Sequence, residues 1–271
     1  MSSGKRVIIT GAASGIGAAT AAELRRRGCT VAGLDRDTDG DGLIACDVRS
    51  QESVDAAVAA AVERLGGLDV LINCAGLATP QSAGAPPDER ALAVIDVNLV
   101  GPWRVTSAAL PALCASPVRG RVINVASGMA FVALPFAASY AMSKHGVVAY
   151  SRALRIEYGD AVDVTVVYPG YIKTPIQRDS VAFGLGLEGT SPEESLDDAV
   201  AAFVRAALGE RPVDNITTTM SGRVNNLLCR HFPHRFVDGI LLRRIGRKLA
   251  GRTFDDPAHP IARFAAGLRD R

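Results

Sequence analysis

The sequence lacks any apolar run near the 18 or so residues that a membrane-crossing helix requires. Its first apolar stretch, Val7-Ile8-Ile9, is too short for the core of a secretory signal, so no leader is expected. Cysteine pairs are missing too. Cys29, Cys46, Cys74, Cys114 and Cys229 are odd in number, scattered and without Cys-x-x-Cys spacing. That pattern argues against a disulfide framework and fits reduced thiols in a cytoplasmic protein. His231 and His234 form a His-x-x-His pair with no Cys or further His nearby, so no metal is expected. Strong net charge is absent as well: +2 over 271 residues gives no reason to expect a nucleic-acid partner. That small value is a cancellation. From Arg205 onward 13 Lys and Arg face 6 Asp and Glu, whereas the preceding 204 residues carry 17 against 22.

What is present describes a globular chain. With 48% hydrophobic and 21% charged residues it can bury a core, and its length allows one or two domains. β-Branched runs at 6–10, 30–35, 43–47, 70–73, 121–126 and 162–168 alternate with Ala- and Leu-rich stretches such as 15–27, 50–64 and 139–158. Apolar strands separated by helices predict an α/β fold: a doubly wound parallel sheet of the Rossmann type, covered on both faces. No repeat and no linker interrupts it before about residue 220, so 1–220 is expected to be one catalytic domain and 221–271 a helical extension.

Directly after the first strand comes Thr10-Gly11-Ala12-Ala13-Ser14-Gly15-Ile16-Gly17, opening an Ala-rich helix. Glycines allow a tight turn and close approach to a pyrophosphate, and the helix start offers free N–H groups. Asp35 ends the next strand, where a carboxylate accepts from ribose hydroxyls and repels a 2′-phosphate. These features favour NAD. Arg36 beside it could pair with the 2′-phosphate and keeps NADP open as the lesser alternative.

Ser127 follows the strand at 121–126, on the sheet edge where α/β proteins bind ligands. Tyr140 and Lys144 lie four residues apart near a helix start and so share one face. A phenol titrates near 10 and is a poor base at neutrality, and a neighbouring ammonium lowers that value.

With these residues the chain resembles the short-chain dehydrogenase/reductase family, in its compact single-domain branch, over about residues 5–210. Thr10 to Gly17 resembles the family's cofactor loop, including Gly11, Ser14, Gly15 and Ile16. Asp47-Val48 is similar to the pair at adenine. Asn73-Cys74-Ala75-Gly76 stands where the family has Asn-Asn-Ala-Gly. The resemblance implies that Asn98, Ser127, Tyr140 and Lys144 form a catalytic tetrad. Tyr140 would exchange the proton of an alcohol as hydride moves to or from nicotinamide. Ser127 would hold the oxygen, Lys144 the ribose, and Asn98 a relay water. Pro169-Gly170, with Ile172 and Thr174, resembles the segment that closes over nicotinamide.

Residues 171–195 stand at the family's mobile substrate segment and read as apolar with glycine hinges, including Val181-Ala182-Phe183-Gly184-Leu185-Gly186-Leu187. Met129, Phe131, Phe136, Tyr171 and Phe183 are expected along the substrate pocket, with no cationic clamp. That composition suits a secondary alcohol or ketone on a cyclic, terpenoid or steroid-like skeleton. A ketoacyl-carrier-protein reductase of the same family and a non-catalytic dinucleotide sensor are the alternatives. A homodimer or homotetramer is expected by resemblance. After a last strand at 216–220 the chain departs from the family's usual ending. Val237, Leu241, Ile245 and Leu249 recur every four residues, with Arg243, Arg244, Arg247 and Lys248 mainly off that stripe. Such a helix either docks on its own domain or a partner subunit, or lies on an anionic membrane surface.

Overall fold

The computed structural model describes residues 4–38, 42–184, 192–232, 234–250, 256 and 259–269. Strand β1 (Arg6–Thr10) is buried from Val7 to Thr10, and alternate side chains enter two separate cores. Ile8 packs with Leu34, Leu71 and Val122 on one face, while Val7 and Ile9 pack with Val70 and Ile72 on the other. A strand apolar on both faces can sit only inside a sheet that helices cover on both sides.

The sheet is fully parallel. Beside β1 lie β2 (Thr30–Asp35) and β3 (Ile44–Ala45) on one flank, and β4 (Val70–Asn73), β5 (Gly120–Val125), β6 (Val162–Tyr168) and β7 (Asn215–Thr217) on the other, in the order β3-β2-β1-β4-β5-β6-β7. Helices α1 (Gly15–Arg26) and α7 (Leu196–Leu208) cover one face. Helices α2 (Gln51–Leu65), α4 (Gly101–Cys114) and α5 (Ala138–Tyr158) cover the other, and α3 (Glu89–Ile95) packs beside α5. The strand order reverses between β1 and β4, which opens a crevice at their carboxyl ends.

Two strands are shorter than their sequence suggests. β3 is an edge strand that pairs only through Ile44 and Ala45, against Leu34 and Asp35. β7 stops at Thr217 because Thr219 turns out of the sheet and accepts a hydrogen bond from the Gly222 N–H, capping the next helix.

Beyond β7 the chain forms α8 (Met220–His231), α9 (His234–Leu249) and α10 (Pro260–Arg269); a short α6 (Arg178–Ala182) precedes α7. Four-residue spacing decides which side of α9 is buried. Ile245 and Leu249 are buried with Ile261 and Ala265 of α10, and Leu241 packs beside them. Leu134, Phe136 and Phe183 close this cluster from the main body. Phe136 has φ of 62°, a left-handed conformation uncommon for a bulky residue. Its ring meets Phe183 at 5.6 Å and Phe264 at 5.7 Å between centroids, which holds that backbone in place.

Candidate active site

A cavity of about 1070 Å³ runs along the carboxyl ends of the strands, from Asp35 and Asp47 past Gly11–Gly17 to Ser127, Tyr140 and Pro169. At one end, Asp35 Oδ2 accepts from the Ala13 N–H at 2.8 Å and Oδ1 from the Asp37 N–H at 3.1 Å. Asp47 is gripped by Arg49 at 2.6 Å, and this pairing holds its carboxyl below the usual range. Arg36 and Val48 line the same end.

The loop after β1 fits a dinucleotide phosphate. Gly11 has φ of 71°, and a Cβ there would stand 2.8 Å from the Ala75 backbone. The first-turn N–H groups of α1 have no carbonyl within the helix, and the Ser14 side chain does not cap them. They remain available to an anion. Thr10 Oγ1 accepts from the N–H groups of Cys74 and Ala75 at 3.0 and 3.1 Å, fixing the Ala75-Gly76 loop against the phosphate loop.

At the other end, β5 delivers Ser127 and the first turns of α5 deliver Tyr140 and Lys144. The Met129 N–H donates to Ser127 Oγ at 3.2 Å, which leaves the hydroxyl hydrogen for another acceptor. Burial pushes the Tyr140 phenol above its ordinary value, and the Ser127 hydroxyl beside it pulls the other way. Lys144 Nζ donates to the Val125 carbonyl at 2.9 Å and lies 5.5 Å from the Tyr140 ring centre. Desolvation drops the Lys144 ammonium to about 8. The sequence expectation was a lysine lowering the phenol, yet the shifts here arise from shared burial of both groups.

A match to the family model described as short chain dehydrogenase spans residues 5–183. The chain belongs to that family. A Streptomyces coelicolor protein provisionally named a ketoacyl reductase is 35% identical over 211 residues, covering 72% of this chain and 80% of that protein. The 2,5-dichloro-2,5-cyclohexadiene-1,4-diol dehydrogenase of Sphingobium indicum is 33% identical over 202 residues, 69% of this chain and 80% of its own. A Burkholderia cenocepacia short chain dehydrogenase crystallised with NADP aligns with a TM-score of 0.74 at 28% identity, covering 88% of this chain and 98% of its own.

Within this short-chain dehydrogenase, most of the expected site residues share the one cavity: Gly11 to Ile16 and Asp35 at one end, Pro169, Gly170, Ile172 and Thr174 at the other, with Met129, Phe136 and Tyr171 beyond. Four do not line it. Asn73 pairs in register with Asn124, so its amide turns sideways and donates to Asn124 Oδ1 at 2.8 Å and Thr106 Oγ1 at 3.0 Å. Asn98 sits in a π-turn (Asp96–Val100) between α3 and α4, fully buried. Its two amide hydrogens go to the Leu77 carbonyl at 2.8 Å and Ser143 Oγ at 3.1 Å, and its oxygen accepts from the Leu77 N–H at 2.7 Å. The side chain therefore braces α5 against the loop after β4. Phe131 stacks on Tyr168 at 5.3 Å, and Phe183 turns toward Phe136 and His259. The expected lid residues Leu185, Gly186 and Leu187 lie outside the described residues.

Two features escaped the sequence reading. Glu194, a charged residue in the segment expected to be apolar with glycine hinges, is buried. It accepts from the Gly170 N–H at 2.9 Å and from the hydroxyls of Thr218 and Thr219. One carboxylate thus ties the segment beside the cavity to the start of α8. The walls also include α8 and α9, and Arg244 of α9 and Arg178 at the start of α6 line the cavity, where the pocket residues named from sequence carried no cationic clamp. Spacing shows that α9 is amphipathic but not which cavity it borders.

Proposed function

We propose that this oxidoreductase interconverts a secondary alcohol and a ketone on an apolar cyclic, terpenoid or steroid-like skeleton, using NAD in preference to NADP. The observation that carries this reading is that Ser127, Tyr140 and Lys144 share one cavity with the apolar side chains of Met129, Phe136, Tyr171 and Leu228. When bound, the nicotinamide ring supplies the hydride donor or acceptor.

The chain's own groups handle the proton and the geometry. Tyr140 exchanges a proton with the substrate oxygen. Ser127, with one lone pair engaged by the Met129 N–H, turns its single hydroxyl hydrogen from Tyr140 to that oxygen when the substrate is bound. Lys144 keeps one N–H on Val125 and directs its remaining hydrogens toward the ribose. Asn98 fixes the helix that carries Tyr140 and Lys144. Asp35, Asp47 and Val48 take the adenosine end. Asp35 repels a 2′-phosphate, and this favours NAD.

The Sphingobium relative, named for a cyclic diol, supports an alicyclic substrate. A second reading, reduction of a carrier-bound ketoacyl group, is favoured by the name of the Streptomyces relative. Initial rates on cyclic and steroidal secondary alcohols with NAD, set against a ketoacyl thioester with NADPH, separate the two. Turnover of the alcohols is expected. Turnover of the thioester alone would replace the first reading with the second.

A further inference from the structure

The C-terminal helices carry a second apolar face. The stripe through Leu241, Ile245 and Leu249 is turned inward and covered. On α8, Met220, Val224, Leu227 and Leu228 follow a spacing of four, three and one, which places them on one helical side, and all four are exposed, Met220 by 71%. Phe232 and Phe236 continue that side into α9 with rings stacked at 5.7 Å, exposed by 46% and 58%. Large apolar side chains gathered in this way are unusual on a free surface and mark a contact site.

Charge identifies the occupant. Residues 220–249 hold seven Lys and Arg against the single acid Asp238. Arg223, Arg235, Arg243 and Arg247 are exposed, and among the described residues none of them forms an ion pair. A second copy of the same segment would set the exposed Arg223, Arg235, Arg243 and Arg247 against their own like charges. An anionic surface that also accepts buried Phe, Leu and Met side chains meets both demands. No helix among the described residues is long and apolar enough to cross a bilayer, so the contact lies along its surface. Position adds a third observation. Val224, Leu228, Phe232 and Phe236 belong both to this face and to the cavity lining.

We propose that the exposed face of α8 and the start of α9 docks on an anionic lipid bilayer, with the cavity mouth toward the membrane. An apolar substrate then passes from lipid to the cavity along a continuous apolar wall. The docking stands on the surface alone, so vesicle binding and dinucleotide-linked turnover succeed or fail separately.

The test is co-sedimentation of the full chain with phosphatidylcholine vesicles, with and without one third phosphatidylglycerol. Partitioning at least tenfold stronger onto the anionic vesicles is expected, and it should collapse in high salt. The double variant Met220→Ser/Leu227→Ser alters exposed residues outside the cavity lining. It should keep the wild-type circular dichroism and thermal midpoint while losing most of the vesicle binding. Arg243→Glu/Arg247→Glu should lose it too. Equal binding to neutral vesicles, or none to anionic ones at low salt, overturns the proposal. So does a wild-type dimer in light scattering that Met220→Ser/Leu227→Ser converts to a monomer, because the face would then be a subunit interface. Capture by an acidic carrier protein with no vesicle binding overturns it as well.

Discussion

Asp35 accepts a hydrogen bond from the Ala13 N–H at 2.8 Å, so the carboxylate that ends β2 also braces the phosphate loop that follows β1. Bracing the loop is one task of Asp35, and the proposed preference for NAD gives it a second that a substitution tests. Asp35→Ser removes the charge that repels a 2′-phosphate and leaves Arg36 beside the site. Loss of a hydrogen bond to a charged group costs about 1.5–3 kcal/mol. That corresponds to a rise in the KM for NADH of roughly 10- to 100-fold, with the KM for NADPH unchanged or lower. Initial rates with both coenzymes check this. An unchanged ratio of the two KM values removes Asp35 from coenzyme selection.

Gly17 is the least replaceable glycine of the loop. A Cβ there would stand 2.0 Å from the Gly11 carbonyl oxygen, so either the loop or the helix start must shift. Gly17→Ala should destabilise the fold by about 2–4 kcal/mol and abolish dinucleotide binding. Urea unfolding and titration with NADH measure the two effects. Wild-type values in both would show that the loop is looser than this packing implies.

Glu194 is the acceptor for three donors around Gly170 and Thr219. Glu194→Ala leaves those donors without their carboxylate, at about 1–3 kcal/mol for each one that water does not reach. Glu194→Gln keeps one carbonyl oxygen and should retain part of the stability. Because Gly170 borders the cavity, the alanine variant should also raise the coenzyme KM severalfold, with partial rescue in the glutamine variant. A purely structural role would move the thermal midpoint and leave the KM alone.

Lys144 makes stability depend on pH in a defined direction. Its ammonium titrates near 8 in the fold, against about 10.4 in an unfolded chain. Between these values the unfolded chain holds a proton that the folded chain has released, so stability rises with pH. The penalty for burying the charge is complete below pH 8 and fades as pH climbs toward 10. Wild type should therefore gain about 1.5 kcal/mol relative to Lys144→Met between pH 8 and 9.5. Urea midpoints of both proteins across that window test the sign. A parallel pair of curves would mean that the lysine keeps its ordinary value.

The parts of the site legible in the sequence are those set by short-range geometry. Val7, Ile8 and Ile9 announce a strand buried on both faces, Gly11 to Gly17 announce a turn into a helix, and Tyr140 with Lys144 announce one helical face. Asn73 was misplaced because its direction depends on the cross-strand partner Asn124, about 50 residues away. The role of Glu194 was not legible within its segment because its burial depends on Thr218 and Thr219, in a different element. The four-residue stripe of α9 revealed which side chains share a face. It could not reveal that Phe136, in a left-handed conformation, and Phe183 would meet that helix bundle. Long-range contacts of this kind also decide that α8 and α9 wall the cavity.

The most direct test of the account is Tyr140→Phe. This change removes one hydroxyl from a half-buried ring and leaves the phosphate loop, Asp35 and Lys144 in place. NADH binding, followed by fluorescence titration, should stay within about threefold of wild type. Turnover of the best alcohol on the panel should fall by at least about a thousandfold at every pH, since proton transfer then has no donor or acceptor at the substrate oxygen. Substantial residual turnover in a variant that still binds NADH would contradict the assignment of Tyr140 as the acid and base of this enzyme.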